Sequence, residues 1–315
     1  MHGGFGNMTV TVARIKLGLM GVAVLAALVP VPQAVSLGLL ASVLLLTGLP
    51  HGAVDHLLHR HQFLGRVKRL NQHFYLTYSL WIAALAVFWG VWPQGALLLF
   101  LAVSAYHFGQ TQAQDTQLPR WTYSLWGLWL VVALVASHPE ALHWGFHQVL
   151  NVQGLQFAAA DTWPLVLHTG GWVWLAMVLY GRFTWRRSLL EGLEMAALVL
   201  VFYRTDFYLS FAVFFGGWHA VRAIHNLLGQ LRAFEPIGLR RFYREAAVHT
   251  LGSVLGIAGL VVLVEYVIGG PNTELLLFMG LSVVAVPHIA TVELWDLYLR
   301  GRTKPDAAAA SPVAA

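Results

Sequence analysis

At 315 residues, the chain has 58% hydrophobic and only 10% charged side chains, against about 25% charged in a soluble domain; this excludes a soluble globular class and predicts an all-α, polytopic membrane helix bundle. The net charge of +5 comes from basic residues in short segments between apolar runs, so it reads as topology and contact with anionic headgroups, and a nucleic-acid partner is excluded. There is no cysteine, which excludes disulfides, thiolate-held haem and Cys-based zinc or iron–sulfur sites, while fifteen histidines make imidazole the one ligand available in quantity.

Taken in order, residues 1–11 form an N-terminal tail, 12–300 a single transmembrane domain and 301–315 a low-complexity tail expected to be disordered. Arg14 and Lys16 precede an apolar run, Leu17 to Val29, that ends at Pro30-Val31-Pro32 without a small-residue cleavage site. It is expected to remain as a helix. Apolar windows predict about ten spans: 12–30, 34–50, 74–92, 95–110, 121–137, 163–180, 189–203, 207–229, 248–268 and 274–299. All but Arg204 and Arg222 of the 19 Lys and Arg residues then fall on one side of an alternating topology. That asymmetry places both termini in the cytoplasm of a multi-pass cell-membrane protein. The longest external connection, 138–162, carries His138, His143 and His147 and suits an interfacial or re-entrant piece.

Four apolar segments carry a histidine in a comparable place: His51 in GLPHGAVDH, His107 in AYHFGQ, His219 in GGWHAVR and His288 in AVPHIATVE. A histidine inside a membrane segment has to be solvated, paired or bound to something. All four lie on even-numbered spans and in the second half of each, so they share the cytoplasmic half of the bundle. Small residues beside them (Gly48, Gly52, Gly109, Gly216 and Gly217) permit close helix approach. A shared metal is the reading that uses all four, and imidazole suits Fe, Cu or Zn. Four neutral imidazoles would leave Fe(II) its full dication charge and two open positions for dioxygen and substrate. Asp55 and Glu293 are candidate acceptors for the outer ring nitrogens. Arg222, one turn from His219, is expected to pair with Asp55 or Glu293, with snorkelling to the headgroups as the alternative.

At these residues the sequence resembles the Brp/Blh family of microbial β-carotene 15,15′-dioxygenases. GLPHGAVD is similar to its first histidine motif, YHFGQ to its second, WHAVR to its third and VPHIATVE to its C-terminal Pro-His motif. The resemblance runs from about residue 45 to 296. It implies an integral membrane enzyme with Fe(2+), splitting the central double bond of β-carotene with O2 into two retinal molecules, with a microbial rhodopsin as retinal acceptor. The third motif departs from the pattern: the family's second histidine, four residues after the first, is replaced by Ala223. The fourth ligand is then His288, with His225 or water as alternatives.

The substrate argues for an aromatic-lined apolar tunnel, since β-carotene dissolves only in the bilayer core. Tyr106, Phe108, Phe214, Phe215, Trp218 and Trp295 flank the histidines, and aromatic rings hold a polyene by dispersion. The rival enzyme class is a membrane di-iron desaturase or hydroxylase, for which His56, His59 and His61 form the sole cluster. Haem-based electron transfer and a histidine proton path complete the alternatives.

Overall fold

A computed structural model describes residues 10–63, 68–113, 118–138, 149, 159–181, 183–268 and 273–303. Residues 1–9, most of the 138–162 connection (His143 and His147 included) and the tail after 303 lie outside the described residues.

Among the described residues all regular structure is helical. The helices are α1 (Val10–Leu28), α2 (Gln33–Val43), α3 (Leu49–Gly52), α4 (Asp55–Phe63), α5 (Lys68–Val91), α6 (Pro93–Ala113) and α7 (Trp121–Ala136). They continue as α8 (Ala159–Gly181), α9 (Trp185–Arg204), α10 (Phe207–Phe211), α11 (Val221–Leu231), α12 (Leu239–Leu263) and α13 (Thr273–Thr303). Three π-helical stretches interrupt or extend them. Leu44–Gly48 joins α2 to α3, Ala212–Ala220 joins α10 to α11, and Val264–Ile268 follows α12. Helical segments therefore fall on each of the ten apolar windows. Among the described residues six helices are long and apolar enough to cross a membrane: Gln33–Gln62, His73–Val91, Trp163–Gly181, Phe207–Leu231, Leu239–Tyr266 and Leu276–Gly301.

The described residues fall into two compact units. One comprises Met1–His51 with Phe88–Gln230, the other Gly52–Val87 with Leu231–Ala315. In the first unit α6 packs along α7, α1 along α9, α7 against α8, and α10 against α2. Its core is aromatic, with Trp126, Trp129, Tyr123, Phe202, Phe214 and Trp218 all buried. Phe207–Leu231 is the enveloped helix, 67% of its apolar window being buried. Asp206 starts this helix as its cap, accepting from the Tyr208 and Leu209 amides at 2.9 and 3.1 Å. The Ser36 hydroxyl of α2 donates to the same carboxylate at 2.6 Å, so the cap also fixes α2. Backbones meet where glycine allows it. A Cβ on Gly127 would stand 1.6 Å from the Ala105 carbonyl oxygen, and one on Gly109 would stand 1.8 Å from that of Tyr123. In the second unit α4 and α12 both pack on α13.

Two basic residues do not serve the topology as the sequence suggests. Lys16 and Arg187 are 0% and 4% exposed; they are withdrawn into ion pairs described below and do not count as loop charges.

Candidate metal centre

His51, His107 and His219 meet in the first unit. Their donor atoms all lie within 4.8 Å of one another, the one such group of three or more His, Asp or Glu among the described residues. Each ring is 4% exposed. The His219 ring is central, with centroids 5.1 Å from His51 and 5.0 Å from His107, both edge to face.

Local structure explains how the three come together. The π-helical stretch Leu44–Gly48 leads into His51, and the longer one, Ala212–Ala220, contains His219. A π turn needs its displaced carbonyls satisfied. Thr47 links the two stretches, its single hydroxyl proton within reach of the Val43 carbonyl at 2.9 Å and of the Gly216 carbonyl at 3.0 Å. The two stretches approach closely, a Cβ on Gly216 meeting Val43 at 2.4 Å and one on Gly48 meeting Phe215 at 2.9 Å. His51 Nδ1 donates to the Thr47 carbonyl at 3.3 Å, and His107 Nδ1 to Gln110 Oε1 at 3.4 Å. An Nδ1–H committed to an oxygen leaves the lone pair on Nε2. Nε2 of His107 and both ring nitrogens of His219 are sealed from solvent.

The set fits a metal ion. Two nitrogens on one ion, each bonded at about 2.1 Å, stand at most about 4.2 Å apart, so small side-chain rotations close the group. Buried neutral imidazoles suit a first-row transition metal.

Aromatic rings enclose the histidines. Phe108 stands 4.8 Å from the His219 ring, edge to face, and 5.0 Å from Phe214. A stack leads up to the histidines, Phe207 to Phe211 at 6.0 Å, Phe211 to Phe215 at 5.2 Å and Phe215 to His219 at 5.6 Å. Its members recur every four residues, so α10 and the π turns line them up on one face. Tyr106 sits farther back, against Tyr123 at 5.9 Å.

A buried charge network borders this centre in the same unit. Lys16 of α1 lies between Glu191 and Glu194 of α9, reaching Glu194 Oε2 at 2.7 Å. Glu194 Oε1 accepts from the Trp218 indole and, at 2.8 Å, from Arg222. The Gln112 amide of α6 donates to Glu191 at 3.1 Å and Glu194 at 3.2 Å. Arg222 donates to the side chain of Gln112 and to its backbone carbonyl, the latter at 3.2 Å. Arg187 approaches Glu191 at 3.7 Å and lies over the Phe183 ring. Arg222 therefore pairs with Glu194, which corrects the expected pairing with Asp55 or Glu293. A carboxylate one helix away offers full charge neutralisation, and sequence proximity to other motifs does not reveal it.

In the second unit His288 is 5% exposed and its Nδ1 donates to Asp55 Oδ1 at 2.9 Å. Tyr78 donates to the other oxygen of Asp55 at 3.0 Å. A Cβ on Gly52 would press on the His288 ring at 3.2 Å. Glu293 is half-buried on α13, and Trp295 is buried against Phe234, 5.3 Å away. His225 is half-buried on α11 and does not belong to the three-histidine group.

His56, His59 and His61 lie on α4 with separate neighbours. His56 stacks on His249 at 4.5 Å and reaches Glu245 at 3.5 Å. His59 lies against Phe74, and His61 reaches Glu235 at 3.3 Å. His138 is a packing residue, its Nδ1 donating to the Leu134 carbonyl at 2.7 Å and its Nε2 facing the Ser210 hydroxyl at 3.3 Å. Sequence reasoning missed Thr47, Tyr78, Gln110 and Gln112, and the whole of the Lys16–Glu191–Glu194 cluster. A glutamate pair three residues apart inside an apolar window was the available clue.

Residues 42–296 match the profile of the family described as beta-carotene 15,15'-dioxygenase. No curated protein and no solved structure matches the chain.

Proposed function

Because the chain belongs to the beta-carotene 15,15'-dioxygenase family, we propose that it is a membrane-embedded, iron-dependent enzyme that splits β-carotene at the central 15,15′ double bond into two molecules of retinal. The observation that carries this reading is the buried group of His51, His107 and His219, walled by Phe108 and Phe215. The three imidazoles would hold Fe(II) as neutral donors. When bound, ferrous iron supplies the one-electron chemistry that lets triplet O2 react with a closed-shell alkene.

The residues do the rest. Thr47 and Gln110 hold the Nδ1 protons of His51 and His107, which keeps Nε2 as the donor atom on both rings. Phe108, Phe211 and Phe215 would offer apolar ring surface to a polyene by dispersion. The apolar surroundings exclude water from the reacting carbons. Both oxygen atoms of O2 end in the two aldehydes, so the reaction takes up and releases no proton, and no general acid or base is required. The cell membrane is the proposed location, and a microbial rhodopsin the proposed acceptor of the product.

The test is expression in a bacterium that accumulates β-carotene, with pigment extraction. Loss of orange colour with retinal appearing by chromatography is the expected result. Retained colour with the protein present in the membrane and iron-loaded would overturn the substrate assignment.

A further inference from the structure

We propose that the network of Lys16, Glu191, Glu194, Gln112 and Arg222 is the positioning frame of the metal centre, setting His219 and His107 at the separation an ion needs. This rests on the reading that His51, His107 and His219 hold a metal.

Four observations lead there. The first is energetic. Lys16 and Glu194 are 0% exposed and Glu191 1%, and a buried ion pair is on balance no more stabilising than apolar side chains of the same volume. A chain that is 58% hydrophobic has ample means to fill this space without charge, so the network is not explained as a source of stability. An ionisable group inside a membrane segment points to function.

The second is connectivity. Trp218 immediately precedes His219 and Arg222 follows it by three residues, and both donate to the same oxygen, Glu194 Oε1. They stand on either side of Ala220, where π turns give way to the α-helix. Where that change falls decides the direction of the His219 ring, and nothing in a π turn's own hydrogen bonding fixes it strongly. Clamping both flanks to one carboxylate does.

The third concerns the second histidine. Gln112 follows His107 by five residues on α6, and it is joined to Glu191, Glu194 and Arg222. Its backbone carbonyl also accepts from Arg222. The helices carrying His107 and His219 are thus fastened to each other and to α9 at one place, with Lys16 supplying the cation that lets two glutamates share it. The fourth is chemical. Addition of O2 across a carbon–carbon double bond moves no proton, so a proton relay would have nothing to deliver, whereas register between ligands is what buried polar groups specify best.

The experiment uses the full chain, purified without metal in lipid nanodiscs and titrated with cobalt(II), read by its visible d–d bands. Thermal unfolding of the metal-free protein reports the fold separately. The variant is Lys16→Met/Glu194→Gln, which removes one cation and one anion together, so the net charge of the network is unchanged and Arg222 keeps its bonds to Gln112. Expected is cobalt binding weakened by about tenfold or more, with altered d–d bands and an apo unfolding midpoint close to that of the parent. Parental cobalt affinity and spectrum in the folded variant would overturn the proposal and leave the metal reading intact. If the double variant does not fold, Gln112→Leu takes its place with the same two readings. Failure of that variant to fold as well would assign the network to the fold and overturn the proposal. If the parent binds no cobalt, or His51→Ala binds it equally well, the metal reading itself fails and the proposal with it.

Discussion

At the scale of single residues, the three clustered histidines separate from the other described histidines by what surrounds them. His51→Ala or His107→Ala removes one of three donors whose atoms lie within 4.8 Å; loss of stoichiometric metal binding and of retinal formation is expected, read by metal analysis of the purified protein. His225→Ala, by contrast, is expected to leave metal affinity within about twofold, since metal sites respond strongly to their ligands and the partners of those ligands. An equal loss in the His225 variant would overturn the ligand set. The histidines were legible in the sequence because each one is costly in an apolar segment and so announces itself. Lys16 and Arg187 were not legible: close to helix ends they look like ordinary boundary charges. Arg187 meets Glu191 one turn along its own helix, whereas the carboxylates of Lys16 lie on another helix, Glu191 standing 175 positions along the chain. Arg222 was misassigned for the same reason.

At the scale of elements, the apolar windows foretold a helix at each position, and the glycines beside the histidines marked real contacts. Periodicity could not show the π-helical stretches. An extra residue per turn leaves no mark on composition, and those turns aim His219 and lead into His51. Contact between α6 and α7 has a sharp test. Gly127→Ala puts a methyl 1.6 Å from the Ala105 carbonyl oxygen, so the helices must separate. A loss of about 1–3 kcal/mol in stability is expected, measured by thermal unfolding, together with weaker metal binding because α6 carries His107. Gly21→Ala in α1, where a Cβ meets nothing within 4 Å, is expected to be neutral or to stabilise by about 0.5–1 kcal/mol. Equal behaviour of the two variants would overturn the close-contact account.

At the scale of the whole molecule, acid sensitivity follows from the segment between α11 and α12. Burial pushes Glu235 up, but the hydrogen bond from His61 and the Arg241 guanidinium at 2.6 Å outweigh it and hold the carboxyl below its ordinary value. A carboxyl lowered by folding stabilises the native state above its unfolded pKa, and that contribution disappears as pH falls through the folded value. The parent is therefore expected to unfold at a higher temperature than Glu235→Gln at neutral pH, with the difference shrinking as pH drops below about 4. A difference independent of pH would remove Glu235 as its source.

The burial of Lys16 has a further consequence, for how the protein is made. In the membrane-embedded reading, α1 reaches the bilayer while the glutamates that neutralise Lys16 have still to be translated. At about 5–20 residues per second, the 175-residue interval to Glu191 lasts roughly 10 to 35 s. Throughout that delay the ammonium group must stay at the headgroups, where its long side chain can reach water. Its descent between Glu191 and Glu194 is thus a late event that follows the arrival of α9. A helix made early is among the last to settle, and the ribosome has already passed the codon for His107 by the time its frame can close.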